Sequence, residues 1–192
     1  TLERVTDGRG RIGELTWDEV RRARVDGCEP VARLDDLLGA WPDLRVNLDP
    51  KNDAAVGPLA EAIRRAGAID RVCVGSFSDR RLWRLRRHLG PRLCTSLGPL
   101  GVVRLRLASL GLPSGGFAAG AAQVKTHHLG VRVVDRLLLA AARRHGLHVH
   151  VWTVDEPADM ERLLDLGVDG LMSSRPSVLK EVLQRRGLWA GG

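Results

Sequence analysis

The amino-acid sequence predicts a parallel α/β fold, and three observations carry that prediction. From residue 44 onward, short β-branched or apolar runs alternate with helix-length amphipathic stretches. Gly67, Gly90, Gly146 and Gly167 fall where those helices should stop. The chain has 192 residues, 44% apolar and 28% charged, enough for one domain with a real core. Strict strand–helix alternation requires right-handed crossovers between parallel strands, in a doubly wound sheet or a closed barrel. Periodicity alone does not choose between the two.

Residues 1–32 stand outside the pattern. Thr6-Asp7-Gly8, Gly10, Gly13 and Gly27 mark turns and Leu15 to Arg24 suggests a short helix, so the segment reads as the remainder of an insertion. A helix over Leu34 to Ala40 ends ahead of Pro42, because a residue preceding proline is pushed out of the helical region. The βα units then occupy residues 33–187. Their strands are expected at Leu44 to Asp49, Arg71 to Ser76, Arg92 to Ser96, Ala119 to Val124, His148 to Val154 and Val168 to Met172. Helices are expected near 53–67, 79–89, 99–110, 133–146, 157–166 and 177–186, with Ser78, Asp155 and Ser174 as capping residues. Residues 188–192, ending in Ala190-Gly191-Gly192, are expected to form a frayed tail.

Composition excludes several classes of function. No apolar run approaches the roughly 20 residues needed to cross a bilayer, so no transmembrane segment is expected; Leu137 to Ala142 is cut short by Arg143 and Arg144. The net charge of +7 and pI near 10.5 would ordinarily raise nucleic acid as a partner. Yet Lys51, Lys125 and Lys180 are the only lysines among 30 basic residues, and tyrosine is absent, which indicates a coding bias toward arginine, alanine, glycine and leucine. In the densest basic stretch, Arg80 to His88, an apolar stripe of Leu82, Leu85 and Leu89 leaves the arginines on a solvated face, and nucleic acid is not expected as a partner. Cys28, Cys73 and Cys94 are odd in number, far apart and in no CxxC spacing. They indicate neither a disulfide framework nor a zinc site, and fit a reducing, cytoplasmic compartment. The text opens at Thr1 in mid-phrase, so the N-terminus is read as cut, with any signal peptide lying upstream.

Two strand ends carry residues with chemical potential. In the first visible strand the two-residue period puts Asn47, Asp49 and Lys51 on one face at the C-terminal end, the edge where parallel α/β folds keep their sites. A carboxylate two residues before an ammonium suits a divalent cation beside a phosphate; it equally suits a strand-end salt bridge. In the strand from Leu147 to Val154 the same period aligns His148, His150 and Trp152. Histidines at i and i+2 can ligate a metal or transfer protons, but more often they are hydrogen-bonded core residues beside an aromatic wall. His127-His128 in a loop and His145 near a helix end suggest no site. Phosphate loops of Walker or Rossmann spacing and Gly-x-Ser-x-Gly elbows are absent.

At these residues the sequence resembles the glycerophosphodiester phosphodiesterase family along nearly its whole length. Thr1 to Gly10 is similar to the family's "leu-x-arg-thr-thr-x-gly-x-gly" segment, with Leu15-Thr16 following on cue. Pro30 to Leu38 resembles its "ile-pro-thr-leu-glu-glu-val-leu" helix, Val46 to Lys51 its "leu-asn-ile-glu-ile-lys" strand, and Gly75-Ser76-Phe77-Ser78 its "ser-ser-phe" strand end. His150 to Val154 and Gly167 to Pro176 resemble "trp-thr-val-asn" and "gly-val-asp-gly-ile-ile-thr-asp-arg-pro".

The resemblance implies a (β/α)8 TIM barrel of which this chain lacks the first two strands. Those strands carry a His-Arg-Gly phrase, a Glu-x-Asp pair and a His-Asp phrase in the family. Both acid–base histidines and two metal-ligating carboxylates are therefore expected outside this chain, which is left with no catalytic residue. Carried over, Asp49 takes the place of the third metal-ligating carboxylate, Lys51 the phosphate-binding lysine, and Trp152 the aromatic wall of the substrate cleft. Gln123 is a further polar candidate for substrate binding. The implied activity of the full-length form is hydrolysis of a glycerophosphodiester to glycerol 3-phosphate and an alcohol with a divalent cation, calcium or magnesium; the fragment is expected to be inactive. Asp49 stands where glutamate is usual, shortening the reach to the metal by one methylene. Pro50 replaces an aliphatic residue, and Ser173-Ser174 replaces Thr-Asp. The Asp49-Pro50 departure supports an alternative, a non-catalytic relative that binds a phosphodiester ligand or a protein partner. A phosphatidylinositol phospholipase C-like activity fits the Trp152-Thr153 and Asp169-Gly170 phrases less well.

Overall fold

The computed structural model describes residues 1–128 and 131–189. All six expected strands are present. They are β3 (Val46–Leu48), β4 (Val72–Val74), β5 (Cys94–Thr95), β6 (Ala121–Val124), β9 (His148–Val151) and β10 (Gly170–Leu171). β3, β4 and β5 form one parallel set in that order, and β6, β9 and β10 another. A parallel bridge between Ser96 and Ala121 joins the sets, with Leu97 N–H donating to the Ala121 carbonyl at 2.7 Å and Gly120 N–H to Thr95 at 3.0 Å. Helices α2 (Leu34–Ala40), α3 (Val56–Arg65), α4 (Asp79–Leu89), α5 (Pro99–Ser109), α6 (Arg136–Arg144), α7 (Pro157–Leu166) and α8 (Pro176–Arg185) follow the expected order.

The strands' two-residue alternation separates a wet face from a dry one. Val72, Val74, Ala122, Val124, Val149 and Val151 are buried against the helices. They belong to two apolar clusters, one with Val56, Ile63, Leu82 and Leu85 from α3 and α4, the other with Leu105, Leu138, Met160 and Leu163 from α5, α6 and α7. The opposite face carries Asn47, Cys73, Cys94, Gln123 and His150, which are small or polar. This face is concave. Gln123 Nε2 donates to Asn47 Oδ1 at 2.8 Å, although β6 and β3 are three strand intervals apart. In a flat sheet that separation is about 14 Å, beyond the reach of two amides, so the strands curl around a common axis.

Helix starts differ from expectation in two places. Ser78 caps α4, accepting from Arg81 N–H at 3.4 Å, but Asp155 and Ser174 cap nothing. α7 and α8 open on Pro157 and Pro176, whose fixed φ suits the first turn and whose missing N–H removes one donor that would need a cap. Asp155 and Ser174 bond to each other instead. Gly167 ends α7 in the left-handed region at φ +89°, where a Cβ would be strained. Beyond β6 lies an unexpected short antiparallel pair, β7 (His127–His128) with β8 (Val131–Arg132), where the sequence suggested only a loop.

Residues 1–32 do not extend the sheet. α1 (Trp17–Val20) is held by a capping box between Thr16 and Glu19, and β1 (Arg24–Val25) pairs antiparallel with β2 (Glu29–Pro30). Leu2, Val20 and Ala23 form a small core of their own. The tail residues 190–192 lie outside the described residues. Among those described, no helix is long and apolar enough to cross a membrane. Leu163, fully buried in the larger cluster, gives a direct test of the packing. Leu163→Ala should lower unfolding free energy by about 2–5 kcal/mol in a denaturant titration.

Candidate active site

The concave curl leaves a cavity of about 640 Å³ at the C-terminal ends of all six parallel strands. Backbone bonds continue just past the strands and hold this rim. Gly75 N–H donates to Leu48 at 2.8 Å, Ser96 to Val74 at 2.9 Å, Trp152 to Val124 at 3.1 Å and Met172 to Val151 at 2.9 Å. Asp49, Lys51, Gln123 and Trp152 all line the cavity, so the structure brings together four residues up to about a hundred positions apart.

One wall is polar. Lys51 Nζ is ion-paired with Asp49 Oδ2, as the two-residue spacing on one face allows. The lysine is largely exposed and the carboxylate less so, with side-chain exposures of 73% and 31%, leaving the ammonium open to a ligand in the cavity. Gln123 is held by Asn47, and Gly75 gives it room: a Cβ there would lie 2.6 Å from Gln123 Oε1. The facing wall is largely apolar. Trp152 meets Phe77 edge-on with centroids 5.6 Å apart, and Lys125 Nζ lies 5.1 Å from the Trp152 ring centroid, within cation–π range. Leu97, Pro99, Val102 and Val103 continue that side.

A third group closes the rim near β10. Asp155 accepts from Ser173 Oγ at 2.8 Å, from Ser174 Oγ at 2.6 Å and from Ser174 N–H at 2.8 Å. Bonds from Ser174 and then Ser173 hold its carboxyl below the ordinary aspartate range. The serines that replace Thr-Asp therefore line the cavity and tie the end of β9 to the end of β10.

Lys125, Phe77 and Asp155 were not singled out as site residues in the sequence. Lys125 was readable, standing two positions after Gln123 on the same face; Phe77 and Asp155 gain their roles only through partners remote in sequence. His150 lies below the cavity, half-buried against Gly170, and among the described residues no hydrogen bond reaches its ring. Burial and the neighbouring His148 lower its pKa.

The three cysteines are free thiols, and two of them meet in the fold. Cys73 and Cys94, distant in sequence, are register partners across β4 and β5 and lie side by side on the concave face. The Cys73 thiol, with help from His148 and Arg86, stabilises the Cys94 thiolate and lowers its pKa to about 6, while Cys73 is held protonated. Among the described residues no three histidine, cysteine or acidic side chains converge as a metal site. Asp49 alone, already paired with Lys51, is too few oxygen ligands for calcium or magnesium, so this chain's residues do not by themselves fit a divalent cation.

The model of the glycerophosphoryl diester phosphodiesterase family matches residues 1–178. The chain belongs to that family. The Mycobacterium tuberculosis protein named "Probable glycerophosphodiester phosphodiesterase 2" is 37% identical over 188 residues, covering 95% of this chain and 71% of the relative. The solved glycerophosphodiester phosphodiesterase from Agrobacterium tumefaciens superposes with a TM-score of 0.72 at 19% identity, over 96% of this chain and 78% of that one. An Oleispira antarctica phosphodiesterase, solved in complex with the product sn-glycerol-3-phosphate, gives 0.72 at 16% identity, over 95% and 76%. This phosphodiesterase-family chain thus shares the fold of those structures.

The low Cys94 pKa has a direct readout. Iodoacetamide labelling at Cys94 should accelerate with pH through about 6 and level off near neutrality, whereas an unfolded thiol rises toward about 8.5. For the pair, the gain from the low Cys94 value is lost as pH falls through about 6, and above the unfolded thiol pKa the raised Cys73 offsets it.

Proposed function

We propose that the cavity binds a glycerophosphodiester for hydrolysis to glycerol 3-phosphate and an alcohol. The observation that carries this reading is the juxtaposition of Lys51 and Gln123 with the Trp152–Phe77 wall at one rim. A phosphodiester needs a cation for its charge and donors for its oxygens; a glycerol carbon chain needs an apolar face. Lys51 supplies the compensating charge, Gln123 donates to the phosphate by exchanging its bond to Asn47 for one to the ligand, and Trp152 supplies the face against which the glycerol moiety lies. The complex of the Oleispira antarctica relative with sn-glycerol-3-phosphate supports the same class of ligand.

In this proposal the six strands belong to an eight-stranded barrel, with two further strands bridging β10 and β3. The exposure of Cys94 on the concave face and the extent of the relatives beyond the match support it. The proton-transferring histidines and most ligands of a calcium or magnesium ion would come from those strands. When bound, such an ion would neutralise charge on the phosphoryl group. Asp49 is proposed as one of its carboxylate ligands, and its pairing with Lys51 keeps the carboxylate and ammonium side by side at the phosphate end of the cavity. The proposed location is cytoplasmic.

Two forms of the protein test the reading. The 192-residue chain should release no glycerol 3-phosphate from glycerophosphocholine above background, whereas the whole gene product should do so and be silenced by a chelator. In the whole product Lys51→Ala should lower kcat/KM by about 10²–10³-fold, the usual scale for removing one electrostatic stabiliser. Asp49→Asn should raise the cation concentration required for half-maximal activity, while Asp49→Glu should leave activity intact. Binding of glycerol 3-phosphate without turnover in the whole product would favour the non-catalytic relative.

A further inference from the structure

An apolar stripe remains exposed beside the cavity. Leu100, Val103, Leu107 and Leu110 follow one another at spacings of three, four and three residues, so they share one face of α5 and its C-terminal cap. Their exposures are 68%, 57%, 41% and 60%. Val103 lines both the cavity and this face, making the stripe continuous with the cavity wall. Nearby on α4, Trp83 is 55% exposed and lies under the Arg87 guanidinium, 4.7 Å from ring centroid to Cζ. The two helix starts are tied together: Asp79 Oδ2 accepts from Leu100 N–H at 3.2 Å.

Arginine outweighs acid around this stripe, where Asp79 is the one carboxylate seated at its start. From Arg80 to Val134 the sequence holds eight arginines before Lys125, then Arg132, with no aspartate or glutamate in the interval. Asp53, Asp70 and Asp135 pair with Arg81, Arg92 and Arg106 from outside it. Arg80 and Arg87 on the outer side of α4 are exposed and take no acidic partner among the described residues. α4 and α5 also follow the second and third strands of the six-strand arc, away from both of its free edges. A strand added beside β3 or β10 would not itself lie against this face.

We propose that the α4–α5 face is a docking surface for an anionic phospholipid surface, which brings the cavity mouth to the lipid–water interface. Apolar side chains entering the headgroup boundary, surrounded by arginines attracted to anionic headgroups, are the two elements of interfacial binding. Nucleic acid would use the arginines and leave the leucines in water. A second copy of this chain would cover the leucines but bring two cationic faces together. The proposal goes beyond the hydrolytic reading and does not depend on it, because its readout is binding rather than turnover.

The test is co-sedimentation of the protein with vesicles of phosphatidylcholine alone and of phosphatidylcholine with about a third phosphatidylglycerol. Binding should favour the anionic vesicles and weaken with salt. Leu107→Ser with Leu110→Ser should lower the partition coefficient about tenfold on anionic vesicles. Arg80→Gln with Arg87→Gln should lower it about fivefold per arginine on anionic vesicles and leave binding to neutral vesicles unchanged. These side chains are exposed, so unchanged circular dichroism melts confirm that the variants fold. Failure to bind vesicles would overturn the proposal. So would binding of an oligonucleotide that survives the leucine changes in the absence of vesicle binding, or a concentration-dependent dimer that the leucine changes abolish.

Discussion

One hydrogen bond states the constraint on which the molecule is built. Gln123 reaches Asn47 at 2.8 Å only because four parallel strands curl, and the same curl points the strand ends at one space. The curl follows from the division of each strand between two faces. Branched and bulky aliphatic residues such as Val72, Val124 and Val151 fill the outer layer under the helices, while the inner face carries Gly75, Ser96, Ala121 and Gly170. Small inner residues let the concave side close up, and a larger one would collide, as a Cβ at Gly75 or Gly170 would with Gln123 or His150. Curvature, cavity and convergence of polar groups are therefore one property of this sequence.

That property also explains the site's electrostatics. The C-terminal strand ends present Lys51 and Lys125 to the cavity, with Asp49 held beside Lys51 and Asp155 occupied by two serines. The open charge facing a ligand is cationic, which suits a phosphodiester. Trp152 stands between polar and apolar surfaces, in contact with both Lys125 and Phe77, and so gives the cavity its orientation.

The strands and helices were readable because period-two and period-3.6 patterns report burial, and burial organises the whole curled sheet. The match is closest for α2, α4 and α7, whose ends agree with expectation. Helix capping was less readable: Asp155 looks like a cap in sequence, but Pro157 reduces the need for one and two serines some twenty positions away recruit the carboxylate. The candidate site was legible where its residues share a strand face, as Asp49 and Lys51 do, or where a family phrase names them, as with Trp152. The Cys73–Cys94 pair was invisible, since strand register is a tertiary property that neither residue's local spacing reveals. The apolar stripe on α5 was hidden for a related reason. Leu105 and Leu107 look equivalent in sequence, yet the first is buried and the second exposed.

The most direct test of the central claim is a crystal structure of the protein with sn-glycerol 3-phosphate. The account predicts the phosphate within hydrogen-bonding distance of Lys51 Nζ and the Gln123 amide, with the glycerol carbons against Trp152. A ligand bound away from the six strand ends, with Lys51 making no contact to its phosphate, would contradict it.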